Sequence, residues 1–189
     1  MTVTAVKMTL AEFLNYDDGT DTKYELENGE LIKMPSESEI NRRIATFLFA
    51  YFLQLGIPSH RLTMKTEVAV SGAQASVRVP DLMILSEELT IALEGASRSI
   101  VLMDMPPPLL VVEVVSPNQE KRDYRYKRTE YSARGIAEYW IIDPILQQVT
   151  VLEWVEGLYE EKVYKGDNVI ASPILGNLTL TAAQLLQGR

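Results

Sequence analysis

The chain has no cysteine and a single histidine, His60, among its 189 residues. The first absence excludes disulfides and thiolate metal sites, and it suits a cytoplasmic protein without requiring one. The second excludes a histidine-rich metal centre. No apolar run approaches the roughly 18 residues of a membrane span. The opening residues 1–8 lack a charged region followed by an apolar one, so no secretion signal is expected. Positive charge is also scarce: 18 Lys and Arg face 26 Asp and Glu, a formal net charge of −8. Affinity for nucleic acid comes largely from cations on phosphates. A nucleic-acid role would therefore need a local basic patch.

What is present reads as one domain, 1–189, long enough to bury a sizeable core. Thr9 to Leu14 is a short helix, with Thr9 and Glu12 in a capping-box pattern, and Asp17-Asp18-Gly19 turns the chain. Two alternating runs, Tyr24–Glu27 and Glu30–Met34, flank Asn28-Gly29, a strong signal for a hairpin with a primed turn. Ile40, Ile44, Phe47, Leu48, Tyr51, Phe52 and Leu55 recur at helical spacing, predicting a helix from about Glu37 to Leu55. Gly56-Ile57-Pro58 stops it. Leu62 to Val70 alternates as a strand, Ser71-Gly72-Ala73 turns, and Val77 to Leu85 returns. Ser86 to Pro108 is less regular, with one helical turn near Glu87–Leu89.

Leu109 to Val115 is nearly all apolar, as in a central strand covered on both faces. Ser116-Pro117-Asn118 ends it. A helix follows from about Gln119 to Arg134, with Gly135 as its cap, then a strand from Glu138 to Ile142. Gln148–Val155 and Leu158–Tyr164 form a second hairpin around Glu156-Gly157. A short strand near Val169-Ile170 and a helix near Thr181–Leu186 close the chain. The strand–helix–strand order from Leu109 to Ile142 implies a crossover between parallel strands, while the hairpins add antiparallel ones. The expectation is an α/β fold with a mixed β-sheet flanked by helices and additional β-hairpins.

Two apolar strands carry a carboxylate each: Asp81 in Val79–Leu85 and Glu113 in Leu109–Val115. A buried carboxylate is normally paired, hydrogen-bonded or bound to a metal. If the strands pair, the two acids converge, and an oxygen site of that kind suits Mg²⁺ or Mn²⁺. Ordinary salt bridges at strand ends explain the pattern too. Asp123, Lys127 and Tyr131 are four apart and share one helical face. Lys127 could stabilise charge on a reacting phosphate, or simply pair with Asp123 on a solvated helix. The same helix holds six cations against three acids, a local basic excess in an acidic chain. Further acids stand earlier in the chain: Glu25 and Glu30 in the hairpin, Glu37 and Glu39 at the start of the long helix. Glu39 is the best placed of these to complete a metal site, although first-turn glutamates also suit the helix dipole without any function. Tyr139, Trp140 and Trp154 read as packing residues.

Taken together, Tyr24-Glu25-Leu26-x-Asn28-Gly29-Glu30-Leu31, Pro80-Asp81-Leu82, Val111-Val112-Glu113-Val114-Val115-Ser116-Pro117, Asp123-x-x-x-Lys127-x-x-x-Tyr131 and Gly135-Ile136-x-Glu138-Tyr139-Trp140-Ile141-Ile142-Asp143-Pro144 resemble the Uma-two branch of the PD-(D/E)XK nuclease superfamily. The resemblance spans roughly Thr9 to Val155. It implies a restriction-endonuclease-like fold and Mg²⁺-dependent hydrolysis of nucleic acid, DNA ahead of RNA. It implies Asp81 and Glu113 as metal ligands, with the backbone carbonyl of Val114 beside them. The parent motif has a lysine two residues after the glutamate; here that position is Val115, and Lys127 takes its place. Many members of the branch carry a histidine near the start of the long helix, where this chain has Ser38, Glu39 and Asn41. That departure and the net charge suit a rival reading: a non-catalytic binding or assembly module on the same fold, such as a homodimer.

Overall fold

The computed structural model describes residues 7–71, 74–117, 119–176 and 178–189. The opening residues 1–6, Gly72 and Ala73 of the expected turn, and Asn118 of the expected strand stop lie outside the described residues.

The helices are α1 (Leu10–Leu14), α2 (Glu39–Gln54), α3 (Glu87–Leu93), α4 (Arg128–Arg134) and α5 (Ala182–Gln187). The strands are β1 (Tyr24–Glu27), β2 (Glu30–Lys33), β3 (Leu62–Thr63), β4 (Glu67–Val70), β5 (Ser76–Arg78), β6 (Leu82–Ile84), β7 (Ile100–Val101), β8 (Leu110–Val114), β9 (Glu138–Asp143), β10 (Gln148–Val155) and β11 (Leu158–Tyr164). They form two mixed sheets, one ordered β11-β10-β9-β8-β6-β3 and the other β2-β1-β5-β4-β7. The expected parallel pair is β8 with β9, in register Val111↔Tyr139.

Local chemistry explains many of the element ends. Asn28 and Gly29 have φ of 49° and 80°, and Glu156 and Gly157 of 47° and 94°, the paired positive values of a type I′ hairpin turn. Thr9 with Glu12 and Thr181 with Gln184 each close a capping box. Gly135 caps α4 in the left-handed region. Val169 makes an isolated bridge to Thr181 in place of the expected strand. The irregular stretch after Leu85 contains more order than its sequence suggests, namely α3 capped by Ser86 and the short β7.

The six-stranded sheet is covered on both faces. Ile44, Leu48 and Phe52 of α2 and Leu185 of α5 pack with Val112 and Trp140. On the other face Val111, Tyr139 and Ile141 meet Tyr131 of α4 and Val68 and Val101 of the second sheet. The second sheet buries its far side against Phe13 of α1, with Leu26, Ala69 and Val77.

The expected strands Leu62–Val70 and Val77–Leu85 are each broken in two. The first half of one and the second half of the other lie in the six-stranded sheet, and the remaining halves in the five-stranded one. The breaks coincide. Lys65 takes a φ of 57°, and its N–H donates to the carbonyl of Pro80 at 3.1 Å. Proline has no N–H to continue a ladder, and a lysine in the left-handed region redirects the chain at a cost of about 1 kcal/mol or more. Lys65 and Asp81 are thereby brought to the seam between the sheets.

Residues Arg122–Lys127 form a π-helical turn that leads into α4, where an ordinary helix is expected from the sequence. The buried Tyr139 hydroxyl donates to the Asp123 carbonyl at 3.1 Å, giving that oxygen a partner within the widened turn. Such wide turns often occur at functional sites.

Candidate active site

β6 and β8 pair antiparallel with Leu82 opposite Val112. Continuing that register sets Asp81 beside Glu113, and the Asp81 N–H donates to the Val112 carbonyl at 3.1 Å. Asp81 Oδ2 accepts the Val114 N–H at 2.6 Å, while Oδ1 pairs with the Lys65 ammonium. Lys65 also reaches Glu37 at 3.1 Å. Glu113 Oε1 accepts the Tyr131 hydroxyl at 2.7 Å, and Oε2 lies 2.8 Å from Lys127 Nζ. Lys127 Nζ is also 3.0 Å from Asp123 and 3.7 Å from Glu25. Asn41, capped into α2 by Ser38, donates to the Val114 carbonyl at 3.0 Å and to the Ser116 hydroxyl at 2.9 Å. Asp81, Glu113, Val114, Lys65, Lys127 and Asn41 line a small cavity of about 70 Å³.

The electrostatics follow from burial. Burial opposes ionisation of Glu25, but Lys127, Arg78 and Arg122 prevail and hold its carboxyl down at about 2. Glu113 is different. Burial pushes it up to about 8, with Lys127 opposing and Asp123, Asp81 and Glu25 adding repulsion. Asp123 is raised as well, by burial first. Burial would lower Lys127, yet the surrounding Asp123, Glu113 and Glu25 raise it, so it stays charged. Burial thus favours the protonated form of Glu113, and a bound cation would displace that proton. Five carboxyl groups line the cavity against Lys65, Arg122 and Lys127, a formal excess of two negative charges once all five are ionised.

A divalent cation fits this site by ligand type and by charge. The donors are hard oxygens, which suit Mg²⁺ or Mn²⁺, and the excess charge matches a dication. The cage itself is not preformed: among the described residues no three Asp, Glu or His side chains are grouped to hold a metal ion. Lys65, Lys127 and Asn41 take oxygens of Asp81, Glu113 and Val114 that a cation would use.

Asp81, Glu113, Val114 and Lys127 therefore line one pocket, with Tyr131 bonded to Glu113. Glu39 is elsewhere: it is exposed and pairs with Arg42 at 2.6 Å. The helix starts two residues later than its apolar spacing suggests, so Glu37, before the Ser38 cap, is the acid that reaches the pocket. Glu30 is exposed and pairs with Lys7. The basic character expected of residues 119–134 is mostly spent inside the protein. Arg122 binds Glu25 and Glu27 at 2.6 and 3.0 Å, and Lys127 is buried. Val115, where the parent motif has lysine, is buried in the core. Asn41 and Lys65 escape a sequence reading because each acts through a distant partner. The polar Asn41 amid the apolar helix face is the one local hint.

A search of functionally curated proteins finds no relative of this chain. Among solved structures, the chain is similar to one titled a putative nuclease belonging to DUF820 from Anabaena variabilis ATCC 29413. The TM-score is 0.75 at 20% identity, covering 96% of this chain and 98% of that one. The two therefore share a fold. The family model Uma2, described as putative restriction endonuclease, matches residues 10–183. Nearly the whole chain is covered by that match, and the protein belongs to the Uma2 family.

Proposed function

We propose that this protein is a divalent-metal-dependent nuclease that hydrolyses phosphodiester bonds of nucleic acid, with DNA as the expected substrate. The observation that carries the reading is the convergence of Asp81, Glu113 and Lys127 on one carboxyl-lined pocket. Asp81, Glu113 and the Val114 carbonyl are the groups that would hold Mg²⁺ or Mn²⁺. When bound, such an ion orients a water and offsets charge on the phosphate. Lys127, charged and 2.8 Å from Glu113, stabilises negative charge that develops there. Tyr131 fixes the rotamer of Glu113 through its hydroxyl. Lys65 and Asn41 compete for the oxygens that a cation needs. Glu39 has no part in this reading.

One observation favours the alternative of a non-catalytic binding or assembly module, such as a homodimer. The same two side chains, with Lys127, close the pocket with contacts internal to the protein. Incubation with mixed DNA and RNA in Mn²⁺, beside a Glu113→Ala control, separates the two. Metal-dependent cutting that the control lacks supports the nuclease. Inactivity of both chains on every substrate supports the module.

A further inference from the structure

The basic helix is the obvious place to look for phosphate contacts, and the structure removes most of it. Arg122 and Lys127 are consumed by carboxylates around the pocket. Arg128 bonds to Glu161 and to the Tyr159 carbonyl, and Arg134 to the carbonyls of Leu102 and Met105. What remains exposed on that helix is Lys121, which lies over the Tyr126 ring, and Arg125.

Uncommitted positive charge stands instead beside a cavity that neighbours the pocket. Lys23 and Lys33 flank the open end of the β1–β2 hairpin, are exposed, and make no ion pair among the described residues. They line a cavity of about 390 Å³ together with Lys65. That cavity shares Met34, Pro35, Ser36, Glu37 and Lys65 with the carboxylate pocket, so the two adjoin. Lys23 and Lys65 also border a third cavity of about 340 Å³, where Asp17, Asp18 and Glu67 balance them and Arg98, whereas in the hairpin cavity Lys23, Lys33 and Lys65 outnumber Asp21 and Glu37. The route of lower repulsion into the pocket therefore runs past the hairpin.

We propose that the groove between the β1–β2 hairpin and Lys65 carries the phosphate backbone of the substrate. Lys23 and Lys33 are its contacts outside the pocket, and Lys65, held by Asp81 and Glu37, marks the mouth. The proposal rests on the nuclease reading for its choice of ligand and assigns the substrate path within it. Phosphate contacts of this kind position a nucleic acid without reading its sequence, so they confer affinity and register at the pocket rather than base preference.

The test is fluorescence anisotropy of a labelled short DNA, as duplex and as single strand, in EDTA to prevent cutting, across a salt series. Each lost phosphate contact reduces the salt slope of log K by about 0.7 to 0.9. Lys23→Ala with Lys33→Ala should weaken low-salt binding roughly tenfold and flatten the slope by about 1.4 to 1.8. Lys121→Ala with Arg125→Ala should leave both unchanged. Thermal melts of each double variant should match the parent, because all four side chains are exposed. The proposal is overturned if the parent binds no DNA, if the hairpin variant binds like the parent, or if the helix variant is the one that loses affinity. Cutting in Mn²⁺ is read separately. Hairpin-dependent binding without cutting would keep the groove and sink the nuclease reading.

Discussion

Asn41 donates its side-chain amide to the carbonyl oxygen of Val114 at 3.0 Å, tying the first turn of α2 to the end of β8. The same nitrogen reaches the Ser116 hydroxyl at 2.9 Å. Removing it should have two opposite effects. Asn41→Ala leaves a buried carbonyl without its donor, at about 1–3 kcal/mol, so the melting midpoint should fall by several degrees. It also frees an oxygen proposed for the cation, so Mn²⁺ should bind more tightly. Thermal melts and calorimetric titration of the same variant measure both. Lower stability with no gain in Mn²⁺ affinity would show that the amide does not compete.

Tyr131→Phe tests whether the orientation of Glu113 matters. The ring stays packed at 5.0 Å from Tyr139, and only the hydroxyl on Glu113 is lost. Groups that hold a ligating side chain typically contribute 10–100-fold to metal affinity or activity. A fall in that range, in Mn²⁺ affinity and in cutting rate alike, is expected, beside a stability loss of about 1–3 kcal/mol from the buried Glu113 oxygen left without its donor. An unchanged affinity would assign Tyr131 to the core alone.

Glu25 should dominate the acid limb of stability. Its folded value is about 2 against 4.5 for the free group. A carboxylate held down in this way stabilises the fold fully above the unfolded value. That stability is lost as the pH falls from about 4.5 towards 2, and is on the order of 3 kcal/mol. Glu25→Gln should therefore lower the midpoint at pH 7 and flatten its dependence between pH 5 and 3. Melting curves followed by circular dichroism across that range check it. Parallel pH profiles for the two chains would contradict it.

Arg78 supports the site from beneath. It is fully buried and binds Glu130 at 2.6 Å, Glu27 at 2.8 Å and Glu25 at 3.2 Å. Arg78→Met leaves three carboxylates short of a cation. Breaking a buried ion pair from one side costs about 3–5 kcal/mol, which in a chain of this size is a drop of roughly 6 to 20 °C. A smaller drop would mean that Arg122 can take over its role. Differential scanning calorimetry gives the answer directly.

The parts of the fold legible in the sequence are those set by short-range chemistry. Asn28-Gly29, Glu156-Gly157, Gly135 and the Thr9 cap act within a few residues of themselves, and each stands where its chemistry puts it. The conjunction of Asp81 and Glu113 was legible for another reason: an acid in an apolar strand must find company. Pro80, with no N–H for a ladder, is the one local sign of the break at Pro80-Asp81. The break at Lys65 is not legible, because the alternation runs unbroken through it and only the second sheet divides it. The same holds for the basic helix. Its charges are visible in sequence, but the carboxylates and carbonyls that absorb them come from β1, β11 and the loop before β8. Glu37 displaced Glu39 because the Ser38 cap, not the apolar spacing, sets where α2 begins.

The most direct test of the central claim is a calorimetric titration of Mn²⁺ into the wild-type chain and into Asp81→Ala at neutral pH. The account predicts one ion bound by the wild type and none measurable in the variant, with the fold of the variant confirmed by circular dichroism. No binding to the wild type, or equal binding to both chains, would contradict it.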